Sequence, residues 1–73
     1  MKKSFAMQDL DCANCAVKME AAIKKIDGVN DCSVNFFAQK LILDADDARF
    51  DDLVKQAAAA IKRVDPDCRL IVK

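Results

Sequence analysis

Asp11-Cys12-Ala13-Asn14-Cys15 stands between two segments of different periodicity, and that junction decides the fold. On its N-terminal side, Lys3 to Leu10 alternates, with Phe5 and Met7 on one face, which predicts a β-strand. On its C-terminal side, Met19, Ile23 and Ile26 form one apolar stripe, which predicts a helix from Cys15 to Ile26. Asp27-Gly28 stops that helix, with Gly28 supplying the positive φ that a helix end favours. Asp31 to Phe36 follows as a second strand, with Cys32, Val34 and Phe36 on one face. Phe37 to Lys40 reads as a turn and Leu41 to Leu43 as a third strand. Asp44 to Asp47 is an acidic connection in which Asp46 or Asp47 caps the next helix, from about Ala48 to Arg63. The stripe of that helix is Phe50, Leu53, Ala57, Ala60 or Ile61, and Val64. Asp65-Pro66-Asp67 breaks it, and Cys68 to Val72 is the last expected strand.

The order β-α-β-β-α-β predicts an α+β fold of the ferredoxin-like, split βαβ kind: a four-stranded antiparallel sheet with both helices on one face. At 73 residues the chain is expected to be one domain, 1–73, with no linker and no internal repeat. This topology gathers three loops at one end: Asp9 to Cys15, Phe36 to Lys40, and Val64 to Cys68. Gly28 and the run Asp44 to Asp47 fall at the other end.

Composition narrows the function. Twelve basic and 12 acidic residues cancel, so the basic surplus of a nucleic-acid binder is missing. No apolar run approaches the roughly 20 residues that span a bilayer, so no membrane contact is expected of the domain itself. Gln8, Asp9 and Asp11 interrupt any signal-peptide core after Met1-Lys2-Lys3. With that, the four cysteines are expected to be reduced thiols of a cytoplasmic protein, not disulfides. The chain has no His, which removes the commonest general base and any Ser-His or Cys-His pair; no catalytic site is expected.

What remains is thiol chemistry. Cys12 and Cys15 have the spacing with which two thiolates hold one soft or borderline metal ion. Cys15 lies at a helix N-terminus, where unpaired N–H groups and the helix dipole are expected to favour its thiolate. Asp11 adds an oxygen donor; Asp9, Asp65 and Asp67 make the surroundings anionic. Two thiolates leave a net charge of −1 on Cu(I) and zero on a divalent ion, so further carboxylates favour the divalent ion. Zn²⁺ and Cd²⁺ also seek about four ligands, whereas Cu(I) is content with fewer. Water, Asp67 or Cys68 is the candidate fourth ligand, although Cys68 also reads as buried packing. The competing role for Asp11 is a helix cap around Asn14 and Cys15.

Other readings weigh less. A redox Cys-x-x-Cys also begins a helix, but the element order does not suit a thioredoxin-like fold, and acidic surroundings oppose a stabilised thiolate. A closed structural zinc site wants four protein ligands, and only one Cys-x-x-Cys pair is present. Cys32, Met7 and Met19 read as packing. In the Asp44 to Asp47 run, Arg49 stands where a calcium loop needs Gly. Phe37 follows Phe36 directly, so one of the two is expected to leave the core, where Phe37 makes either a contact surface or an incidental exposed ring.

Leu10-Asp11-Cys12-Ala13-Asn14-Cys15-Ala16, followed by Met19, Ile23, Ile26, Gly28, Val29 and Val34-Asn35-Phe36, resembles the heavy-metal-associated domain over essentially the whole chain. That family comprises small soft-metal chaperones and the N-terminal domains of heavy-metal-transporting P-type ATPases. Asp9-Leu10 stands where the family usually has Gly-Met, with Leu10 filling the same apolar slot. The loop near Pro66 lacks the Tyr, Phe or Lys typical of copper chaperones, and an Asp before the first cysteine resembles the zinc, cadmium and lead ATPase branch. The resemblance implies binding and transfer of Zn²⁺, Cd²⁺ or Pb²⁺, less so Cu⁺, through Cys12, Cys15 and Asp11. It implies as partner the remainder of a membrane ATPase or a cognate metal acceptor, with the domain acting as a monomer. The alternatives are a free-standing metallochaperone and, further off, the redox module.

Overall fold

The computed structural model describes residues 1–71. Strand β1 is Lys2–Gln8, helix α1 Ala13–Lys24, strand β2 Val29–Asn35, strand β3 Lys40–Ala45, helix α2 Phe50–Val64 and strand β4 Arg69–Ile71. The four strands form one antiparallel sheet in the order β2-β3-β1-β4. This is the expected ferredoxin-like arrangement.

Alternation along the strands divides the sheet into two faces. Phe5 and Met7 of β1, Cys32 of β2, and Leu41, Leu43 and Ala45 of β3 are buried against the helices. Ser4, Ala6, Ser33 and Ile42 point to the other, exposed face. Registers agree with this division: Phe5 lies opposite Leu41 and Cys32 opposite Leu43. From α1 come Ala16, Met19 and Ile23, and from α2 Phe50, Leu53, Val54, Ala57, Ala60 and Ile61. Each fully buried aliphatic side chain contributes roughly 1.5–3 kcal/mol. The Phe5 and Phe50 rings stack at 6.3 Å and close the core at β1.

The element ends depart from expectation for local reasons. Strand β1 stops at Gln8 because Asp9 adopts a left-handed backbone with φ 61°. Leu10, expected to end the strand, has left it and is nevertheless buried. Helix α1 begins at Ala13, not Cys15, because Cys12 is its cap. It ends at Lys24, ahead of the expected Ile26, and Gly28 follows at φ 99°. Strand β2 gains Val29 across an irregularity between Val29 and Asp31, and β3 reaches Lys40, paired with Ala6 and Asn35, and Ala45, paired with Val29. Ahead of α2, residues Asp47–Arg49 form a short 3-10 turn whose Ala48 N–H is capped by Asp46 at 3.2 Å. Strand β4 begins one residue after Cys68; its expected end at Val72 lies outside the described residues.

Candidate metal centre

The site is built on the first turn of α1. Cys12 sits in extended conformation, φ −132° and ψ 113°, so its side chain folds back over the helix start. Its Sγ accepts the Cys15 N–H at 3.2 Å, and its C=O accepts the Ala16 N–H at 3.1 Å. The two thiols, three residues apart, therefore meet over one turn; both are half-buried and neither is in a disulfide.

Their electrostatics differ. The Cys12 thiol lies below its ordinary pKa, first because the Cys15 side chain donates to it, then because the Cys15 and Asn14 N–H groups do. The Cys15 thiol is raised by that same side-chain hydrogen bond, then by burial and by the charges of Cys12 and Asp65. The helix N-terminus, expected to favour the Cys15 thiolate, favours that of Cys12 instead. The N–H groups of the first turn converge on the capping residue, and that residue is Cys12.

Asp11 is exposed, one residue before the cap. Since Cys12 caps α1, the competing role for Asp11 as the cap is taken. The structure brings together Cys12 and Cys15 but, among the described residues, gathers no group of three or more His, Cys, Asp or Glu side chains about one point. Cys68 is fully buried at the start of β4, its thiol raised chiefly by burial and then by Asp65, with Asp9 and Asp11 adding smaller effects. The Asp65 to Asp67 loop is held by its own carboxylate, Oδ1 of Asp65 accepting the Asp67 N–H at 3.1 Å. Cys32 is buried in β2, its thiol pushed up to about 12 by burial and then by the charge of Glu20. Met7 and Met19 are buried, as their packing role requires. Phe37 is 94% exposed and meets Phe36 edge-on at 5.5 Å.

The three loops expected at this end do meet. Asp65 acts on both thiols, and Gln39 of the β2–β3 turn bonds to Leu10. Sequence reasoning missed Gln39. It lies on no apolar stripe, and a glutamine in a turn carries no metal-ligand signal.

The sequence pattern of the heavy-metal-associated domain family matches residues 4–64. Over 66 residues the chain is 36% identical to a cadmium, zinc and cobalt-transporting ATPase of Bacillus subtilis, covering 90% of this chain and 9% of the ATPase. The solution structure of the N-terminal domain of ZntA in its Zn(II) form superposes with a TM-score of 0.74 at 33% identity, covering 96% of this chain and 88% of that one. The CopZ metallochaperone superposes at 0.77 with 24% identity, over 97% of this chain and 100% of that one, a likeness of fold alone. The chain spans under a tenth of the length of the ATPase it matches. No helix among the described residues is long and apolar enough to cross a membrane.

Proposed function

The chain belongs to the heavy-metal-associated domain family, and we propose that it binds one divalent soft or borderline metal ion through Cys12 and Cys15 and hands it on. The observation that carries this reading is the thiol pair on the first turn of α1, joined by the Cys15 N–H to Cys12 Sγ bond of 3.2 Å. The Cys15 thiol and then the Cys15 and Asn14 N–H groups of the first turn donate to Cys12, so deprotonation to a metal-binding thiolate is eased there. Asp11 is the proposed third ligand. Its adjacency to Cys12 and its exposure support this role.

Zn²⁺, Cd²⁺ and Pb²⁺ are the proposed ions, with Cu⁺ disfavoured. Two thiolates and a carboxylate leave −1 on a divalent ion and −2 on Cu(I), and Asp65 adds further negative charge beside both sulfurs. The Bacillus subtilis relative is a cadmium, zinc and cobalt-transporting ATPase, which supports a divalent ion. A pair of half-buried thiols suits exchange: an incoming thiolate bonds to the ion as one of Cys12 or Cys15 departs, and coordination is never lost. Residues 1–73 act in this reading as one metal-binding domain on the cytosolic side of a metal-exporting P-type ATPase. Replacing both Cys12 and Cys15 by Ser tests it. Cadmium uptake, read from thiolate-to-cadmium absorption, falls to background while the circular dichroism spectrum persists; stoichiometric uptake by the double variant contradicts the assignment.

A further inference from the structure

We infer that Gln39, in the turn between β2 and β3, is the positioning residue of the metal-binding loop; this rests on the proposed role of Cys12 and Cys15. The argument begins with hydrogen-bond accounting at Leu10. The left-handed turn at Asp9, φ 61°, lifts the chain out of β1, whose pairing with its neighbours ends at Gln8. The Leu10 side chain is nevertheless buried, at 2% exposure, so its peptide groups sit at the edge of the core without a sheet ladder to join. Gln39 supplies both partners. Its Oε1 accepts the Leu10 N–H at 3.1 Å, and its Nε2 donates to the Leu10 C=O. The same Nε2 donates to the Phe36 C=O at 2.9 Å, and the Gln39 C=O accepts the Met7 N–H at 2.8 Å. Only one orientation of the amide satisfies these contacts, since the flipped one would set an oxygen against two carbonyls.

Gln39 holds this clamp from a backbone of φ 53°, a conformation that glycine adopts freely and a glutamine does not. The turn is already closed by Asn35, whose Oδ1 accepts the Ala38 N–H at 3.0 Å. Within the turn the amide finds one further partner, the Phe36 C=O for its Nε2, and the turn offers nothing to its Oε1. The partner for Oε1 is Leu10. Leu10 lies two residues before Cys12, and Cys12 is fixed on its other side as the cap of α1. Clamped at Leu10 and capped at Cys12, the chain leaves Asp11 little freedom except in its side chain. Gln39 thus presets the separation and direction of Asp11 and Cys12 toward an ion, lowering the ordering cost of binding.

Gln39→Gly removes the clamp while suiting the φ of 53°. In the metal-free protein, amide exchange at Leu10 accelerates about tenfold or more, and the unfolding midpoint changes little because glycine relieves the backbone. Cadmium affinity, measured by competition with a chelator, falls about fivefold to tenfold, through faster release. Gln39→Glu keeps the length but sets a carboxylate against the Leu10 and Phe36 carbonyls, and it gives the same exchange result should the glycine variant fail to fold. Leu10 amide protection or cadmium affinity that stays at the wild-type value in a folded variant overturns the inference. A fall in unfolding midpoint with both loop readouts unchanged overturns it too, since Gln39 is then only a turn residue. Wild-type protein that takes up no cadmium contradicts the metal reading instead; the exchange measurement, made without metal, still decides whether the clamp exists.

Discussion

At Cys12 a single sulfur caps α1 and is a proposed metal ligand, and substitution separates the two roles. Serine keeps a short acceptor for the Cys15 N–H, whereas alanine leaves it open. Cys12→Ala is therefore expected to lower unfolding free energy by about 0.5–1 kcal/mol relative to Cys12→Ser, while both lose the metal. Equal stabilities in urea titration would mean the sulfur contributes nothing as a cap. Asp11 poses a different question, because Cys12 has taken the capping role from it. As the proposed third ligand, a hard oxygen donor, it would gain more from Zn²⁺ or Cd²⁺ than from Cu(I), and its charge would penalise the monovalent site more. Water screens an exposed carboxylate, so the outcome is a preference of modest size. Asp11→Ala is expected to weaken Zn²⁺ and Cd²⁺ binding several-fold, on the order of 1 kcal/mol, and to leave Cu(I) affinity unchanged or higher. Equal weakening for both kinds of metal in competition titrations removes Asp11 from the ligand set.

At the scale of elements, the sequence reveals the interiors and blurs the ends. Phe5 and Met7 mark β1, Met19 and Ile23 mark α1, and Phe50, Leu53 and Ala57 mark α2, since burial of each depends on a simple period. The ends depend on single dihedrals and single hydrogen bonds. Nothing in the alternation of β1 announces that Asp9 turns left-handed, and nothing in the stripe of α1 says that a cysteine caps it. The thiol pair was legible because its spacing is a metal-ligand pattern, whereas Gln39 was not, because its partners are backbone groups of a distant loop. Although α1 already ends at Lys24, the positive φ of Gly28 was legible in the sequence. Its φ is 99°, and a Cβ there would lie 3.0 Å from Leu53 Cδ1 and 3.2 Å from the Arg49 guanidinium. Gly28→Ala is expected to cost about 1–3 kcal/mol through backbone strain. Because Gly28 lies at the end opposite Cys12, its cadmium affinity is expected to stay at the wild-type value. A thermal melt paired with a cadmium titration checks both halves; a large loss of affinity in the folded variant would show that the two ends are coupled.

Across the whole molecule, the core carries an alkaline limit. Burial raises the Cys32 thiol from 9.0 to about 12 and raises Cys68 in the same direction. A raised thiol pKa means that the folded state keeps a proton the unfolded chain releases. The stabilisation is fully present below about pH 9 and is lost as pH climbs toward 12. Cys32→Ala is expected to be less stable at neutral pH, through the lost sulfur contacts, yet to fall less steeply above pH 9. Parallel stability curves for the two proteins over that range would place the alkaline loss elsewhere. The same fold carries the Cu(I)-loaded N-terminal domain of a Bacillus subtilis P-type ATPase and the zinc-bound N-terminal domain of ZntA, so architecture does not choose the ion. In the proposed reading, the choice falls to Asp11, Cys12, Cys15 and the charge of Asp65 around them. The central claim is tested most directly by titrating the reduced protein with Zn²⁺, Cd²⁺, Pb²⁺ and Cu(I) side by side against competing chelators, with sulfur-to-metal absorption as the readout. Our account predicts one divalent ion per chain, bound through both sulfurs, with Cu(I) gaining less over the Asp11→Ala protein than the divalent ions do. Cu(I) favoured over the divalent ions in the wild-type protein and unaffected by Asp11, or no thiolate-bound metal at all, would contradict it.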